Sequence, residues 1–200
     1  MTNLDSRKHH ALRAGRRGKA RALSASGLRR SSLWQALAVF LLVASARAED
    51  IKPPFGLVWG ENAARLEKML RNAKATVVDR RPVQGGLVAW DVDGLVQTGL
   101  KRTVFYFRGD ELTEVELIYQ REEWEQRDYD GFMSQVRQAI QRRYGEGQQI
   151  VRKTEPVNEV VQTIVGYKWN QNNAAVELFY YAAQNGQNIF RTISVHYKTY

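Results

Sequence analysis

Side chains that exchange protons or attack carbonyls are scarce in residues 49–200, which hold one histidine, His196, two serines, Ser134 and Ser194, and no cysteine. Ser194 and His196 stand two apart. On a strand they point the same way, but the strand rise sets them roughly 6 to 7 Å apart, beyond the roughly 2.6 to 3.2 Å that proton transfer requires. No Gly-x-Ser-x-Gly turn frames either serine. The expectation is therefore two polar residues on a solvated strand face. Carboxylate pairs can act as acid and base on a glycan, and the candidates are Glu114 with Glu116 and the cluster Glu122, Glu123 and Glu125. Both groups also read as ordinary exposed acids, so no catalytic residue is assigned.

Metal and cofactor chemistry finds as little material. A lone histidine without cysteine makes no zinc site unless several carboxylates join it. "DVDG" at Asp91 to Gly94 and "DYDG" at Asp128 to Gly131 each match the start of a calcium loop, yet neither continues with the later oxygen ligands and the closing Glu. The first reads as a strand end with a turn, the second as a helix cap. No metal and no cofactor is expected. Residues 49–200 also hold four tryptophans, Trp59, Trp90, Trp124 and Trp169. Trp59 and Trp169 follow alternating apolar residues and read as core. Trp124 is set among Glu122, Glu123 and Glu125. It is the candidate contact residue for a partner, with packing over a sheet edge as the competing reading.

Two segments carry helical periodicity. Asn62 caps the first, in which Ala63, Leu66, Leu70 and Ala73 recur on one face. The second starts at Asp128 or Asp130, places Phe132, Val136, Ala139, Ile140 and Tyr144 in one stripe, and ends at Gly145 in a left-handed conformation. Strand-like runs follow each helix: 75–81, 86–92, 96–107 and 112–119, then 148–155, 160–169, 174–182 and 189–198. Pro82, Gly85-Gly86, Asp93-Gly94, Gly109-Asp110, Pro156 and Gly186 punctuate them. The expected fold is α+β, an antiparallel sheet or sheets with two helices packed on one face. The order of helix and four strands occurs twice, which predicts tandem halves at about 55–120 and 129–198 with a linker at 121–128. In the hairpin 103–119, Phe105 should oppose Val115 and Phe107 should oppose Thr113. That parity calls for a loop of three or five residues and puts Tyr106, Glu114 and Glu116 on the wetter face. The last strand should send Ile193, Val195 and Tyr197 one way and Ser194 and His196 the other.

The stretch "RRSSLWQALAVFLLVASARAED" explains the charge. Its apolar run from Leu33 to Ala44 gives roughly 18 Å of helix at about 1.5 Å per residue, short of a bilayer core of about 30 Å. A basic region precedes it and Ala46-Arg47-Ala48 follows, so residues 1–48 read as a cleavable signal peptide cut after Ala48. Arg29-Arg30 before the run admits a twin-arginine route beside the general one. The leader carries ten of the 30 Lys and Arg and one of the 21 acids, which leaves 20 of each in residues 49–200. The net charge of +9 thus belongs to the leader, and no nucleic-acid partner is expected. No transmembrane anchor is expected after cleavage, and the absence of cysteine removes a lipid-modified one.

"FGLVWGENAARLEKML", followed by strands that include "VFYFRGDELTEVELIY", resembles small bacterial envelope α+β proteins of the group to which BamE and the β-lactamase inhibitor protein belong. The likeness is one of pattern over much of residues 55–200. It implies a helix with a curved antiparallel sheet, a tandem duplication in the inhibitor's case, and protein binding as the use of the fold. The chain departs from the group in lacking a lipid-anchoring cysteine and the inhibitor's disulfides, and no binding residue carries over. The expected function is a non-catalytic binding or adaptor module of the cell envelope, periplasmic or secreted, with an envelope protein as partner. An envelope hydrolase using a carboxylate pair and a small-ligand carrier are the alternatives.

Overall fold

The computed structural model describes residues 49–200, so the signal peptide expected at 1–48 and the cut expected after Ala48 lie outside the described residues. Asn62 accepts a hydrogen bond from the Ala64 N–H at 2.9 Å and starts α1 (Ala63–Asn72), which buries Leu66 and Leu70. Four strands follow, β1 (Thr76–Val83), β2 (Leu87–Asp93), β3 (Leu100–Arg108) and β4 (Glu111–Tyr119). Then come α2 (Gln126–Tyr144) and the strands β5 (Gln148–Val157), β6 (Val160–Gln171), β7 (Ala174–Asn185) and β8 (Asn188–Thr199). All eight strands form one antiparallel sheet in the order β1-β2-β3-β4-β8-β7-β6-β5. The fold is α+β. No described helix is long and apolar enough to cross a membrane.

α2 begins at Gln126, inside the stretch read as a linker and ahead of both aspartates proposed as its start. The reason is local: Asp128 is the third helical residue, and its Oδ2 accepts the backbone N–H of Glu125 at 3.0 Å. Gly145 closes the helix at φ 84° and ψ −166°, a positive-φ conformation other than the left-handed helical one expected.

The β3–β4 hairpin corrects a second expectation. Phe105 does oppose Val115, but Phe107 opposes Leu112 rather than Thr113, and the loop is the two-residue Gly109-Asp110. A register shift between Tyr106 and Phe107 restores the parity that a two-residue loop would have broken. Leu112, fully buried, takes the inward place.

Reading the register across the sheet separates two faces. One carries Trp90, Phe105, Val115, Tyr197, Val176 and Trp169 in a continuous row, with Leu117, Val195 and Leu178 in the next. This aromatic face holds the core, in which Phe105, Leu178 and Ile193 are fully buried. The helices do not form the covering layer expected from the sequence. The backbone of α1 comes nearest edge strand β1 and that of α2 nearest β8, while β1 and β5 stay exposed along most of their lengths. Width explains it. Seven strand spacings of about 4.8 Å span roughly 34 Å, whereas a helix with its side chains is about 10 Å across. Two helices are too few to roof such a sheet.

Candidate functional site

The second face is polar, and here the register assembles the residues with chemical potential. One row runs Arg81, Ala89, Tyr106, Glu114, Lys198, Ala175. The next runs Asp91, Val104, Glu116, His196, Glu177, Lys168. The third holds Ile118, Ser194, Phe179 and Gly166 with Val151. Because β4 pairs with β8, Glu114 and Glu116 from the first half of the chain meet His196 from the second.

Contrary to the spacing argument, Ser194 and His196 touch. Ser194 Oγ lies 3.1 Å from His196 Nε2, and His196 Nδ1 lies 2.8 Å from Glu114 Oε1. The strand rise separates the backbones as expected, but the imidazole leans along the strand and spans the gap. The order serine, histidine, carboxylate is that of a nucleophilic triad. Three features work against that chemistry. Glu116 Oε1 also stands 3.5 Å from Nε2 and competes for the nitrogen that would take the serine proton. Ser194 is paired on both sides, with Ile118 and Phe179, so its strand has no spare amides for an oxyanion hole. Finally, the clefts beside α1 and α2 are lined by other residues than Ser194, His196, Glu114 and Glu116.

Around this centre the charges are mutually satisfied. Tyr106 donates its hydroxyl to Glu116 at 2.7 Å, and burial together with that carboxylate pushes the phenol well above its usual range. Lys198 and Lys168 close on Glu177 at 2.6 and 3.1 Å. Burial pushes the Glu177 carboxyl up, but the two ammonium groups outweigh it and hold it below the usual carboxylate range. Asp91 is met by Arg81 at 2.6 Å and by Arg102 at 3.5 Å. The Asp93 carboxylate lies 3.8 Å from Arg102, so the "DVDG" carboxylates answer arginines. In "DYDG", Asp128 caps α2 and Asp130 accepts from the Gln126 amide at 2.9 Å. No group of three or more metal-binding side chains occurs among the described residues.

Beyond the charged rows the polar face turns apolar. Phe179 sets its edge against His196 with ring centres 5.7 Å apart, and Tyr181, Ile164 and Phe190 continue the patch. Phe190 is 47% exposed. Phe179 needs Gly166 opposite it, because a Cβ there would stand 2.6 Å from the Phe179 ring and 2.7 Å from Val151.

Trp124 lies elsewhere, half-buried before α2. Its ring meets Tyr129 edge-on at 5.2 Å and Phe132 at 5.0 Å, and Arg121 sits 6.0 Å over it. Of its acidic neighbours, Glu123 pairs with Arg121 at 3.0 Å and Glu122 and Glu125 are exposed. The apolar space under α1, bordered by Leu66, Met69 and Phe105, is about 90 Å³. Ligand sites occupy roughly 300 to 1,000 Å³.

Two features escaped the sequence reading. The joining of Glu114 and Glu116 to His196 depends on β4 pairing with β8, for which the local sequence holds no signal. A polar cleft beside α2 was missed too, although Ser134, Arg137, Gln138 and Gln141 recur at helical spacing and so mark one polar stripe. Comparison of the chain with known protein families, with curated proteins and with solved structures finds no match in any of them.

Proposed function

We propose that the protein is an exported, non-catalytic binding or adaptor module of the cell envelope that offers the polar face of its sheet to a protein partner. One observation carries the reading: an open sheet face on which Phe179, Tyr181, Ile164 and Phe190 adjoin a ladder of paired charges. An apolar aromatic centre beside a polar surround is the anatomy of a protein interface. We infer further that the two groups of four strands are tandem halves, a reading supported by the mirrored strand order. The basic, apolar and small-residue succession in residues 1–48 supports export to the periplasm.

The hydrolase reading is favoured by the Ser194, His196, Glu114 order and opposed by the approach of Glu116 to His196 Nε2 and the pairing of Ser194 on both sides. The carrier reading is weakened by the apolar space under α1, which is about 90 Å³. Trp124 stands as the second proposed contact, with less support because its ring turns inward on Tyr129 and Phe132.

Affinity capture of the protein from envelope extract tests the proposal. A reproducible protein partner should be retained by the parent and lost by Phe190→Asp, with the melting temperature unchanged. Retention of that partner by both Phe190→Asp and Phe179→Asp sinks the polar-face assignment. Labelling by a serine-reactive fluorophosphonate that disappears in Ser194→Ala replaces the adaptor reading with the hydrolase.

A further inference from the structure

The cleft between α2 and the outer strands β5 and β6 measures about 390 Å³ and is bordered by Asp130, Ser134, Arg137, Gln138, Arg152 and Tyr167, among others. It opens on the aromatic side of the sheet, since Arg152 pairs across from Val165 and lies on the same face as Tyr167. Arg137 is held in place: its guanidinium carbon is 4.4 Å from the centre of the Tyr167 ring, and its Nη1 donates to the Tyr167 hydroxyl at 3.2 Å. Among the described residues, neither Arg137 nor Arg152 has a carboxylate within ion-pair distance.

The groove beside α1 shows what such a place looks like when it supplies its own anion. There Arg80 of edge strand β1 pairs across from Trp90, stands 4.2 Å over its ring, and is met at 2.6 Å by Glu67 of the helix. Beside α2, Arg152 of edge strand β5 corresponds to Arg80, but the charged helix side chains that border the groove are Arg137, a second cation, and Asp130, so two arginines face one acid where the α1 groove sets Arg71 and Arg80 against Glu67 and Asp79. One groove is neutral within itself and the other is not.

We infer that the α2 cleft binds a small oxyanion ligand, one that carries a carboxylate or a phosphate group. Two guanidinium groups suit the paired oxygens of either. The hydroxyls add donors. Tyr167 accepts from Arg137 and Ser134 accepts from Gln138 at 3.2 Å, so both keep their own protons to offer. Asp130 is the one carboxylate bordering the cleft, and it sits seven residues before Arg137, roughly 10 Å along the helix axis at about 1.5 Å per residue. It faces the far end of a bound ligand and suits a hydroxyl or amino group there. The inference is independent of the docking proposal, which uses the other face of the sheet.

Calorimetric titration of the full 200-residue chain with inorganic phosphate and, separately, with succinate tests it, at constant ionic strength and in a buffer free of other oxyanions. At least one should bind saturably, and which one does fixes the headgroup. Arg137→Gln and Arg152→Gln should each weaken binding about tenfold or more, as expected for loss of a charge-assisted hydrogen bond. Arg142→Gln removes an equal charge from an exposed position on the same helix and should leave binding unchanged. Circular dichroism on each variant establishes that it is folded. Failure of both anions to saturate at millimolar concentrations overturns the inference. So does an equal loss in Arg142→Gln, which would mean that the chain attracts anions through its overall charge.

Discussion

Glu177 illustrates how the polar face is held at the scale of single residues. Its carboxylate is nearly buried and has two lysines on it, Lys198 from the next strand on one side and Lys168 from the next on the other. A carboxyl held below its ordinary value of 4.5 stabilises the fold above that value and loses the contribution as the pH falls through the lower, folded value. Acid titration of the unfolding midpoint should therefore show a fall below about pH 4.5 that is shallower in Glu177→Gln. Equal slopes in the two proteins would mean that other carboxylates carry the acid sensitivity. The residue types at this centre were readable: Tyr106, Glu114 and Glu116 alternate with buried neighbours, and their side of the strand follows from that period. Their partners were not, because Lys198 and His196 come from a strand some 80 residues away and nothing nearby in sequence specifies which strand lies alongside.

At the scale of elements, the approach to α2 is built on Trp124 and Gly99. Gly99 is buried at φ +76°, and a Cβ there would lie 2.7 Å from Cη2 of the Trp124 indole, so the ring closes directly over backbone. Trp124→Ala should cost about 2 kcal/mol, less than the roughly 3 to 5 of a fully buried tryptophan because Trp124 is only partly buried. Gly99→Ala should also destabilise, through strain and overlap together. In the Trp124→Ala background the overlap has gone, and the penalty of Gly99→Ala should shrink by about 1 kcal/mol. Additive losses in a chemical-denaturation cycle would show that the two residues are not in contact. If the loss in Trp124→Ala is small and a captured partner is released, the ring serves recognition. Helices and strands were legible as elements because their periods differ, 3.6 against 2. Their ends were less so. Asp128 looked like a first cap and is the third helical residue, and the Gly109-Asp110 loop looked too short until a register shift two residues earlier absorbed the mismatch. Caps and bulges depend on hydrogen bonds that a residue pattern does not encode.

Across the whole molecule, two four-stranded groups lie edge to edge, and each outer strand carries a proline, Pro82 in β1 and Pro156 in β5. Prolines and charges on outer strands discourage further strands from adding. The seam between the groups is the β4–β8 ladder, which runs from Glu114 opposite Lys198 to Tyr119 opposite Ile193. Removal of residues 188–200 takes away β8 and should abolish cooperative unfolding of the remainder, because β4 and β7 both lose a partner along a buried face. Fluorescence of truncated chains that keep only Trp90 or only Trp169, the other tryptophans replaced by Phe, reads the two groups separately. A preserved native transition in the chain that keeps Trp90 would show that the first four strands stand by themselves.

Timing follows from that seam. A chain delivered from its N-terminus, whether by a ribosome or through a membrane pore, presents seven strands before the one that must lie in the middle of the sheet. Until the stretch from Ile193 to Lys198 arrives, β4 and β7 each expose an unpaired edge beside apolar residues, Val115 and Leu117 on one and Val176 and Leu178 on the other. Such edges invite one another and other chains. β4 and β7 are therefore joined only once β8 has been delivered, and anything that shields those two edges in the interval acts as a chaperone.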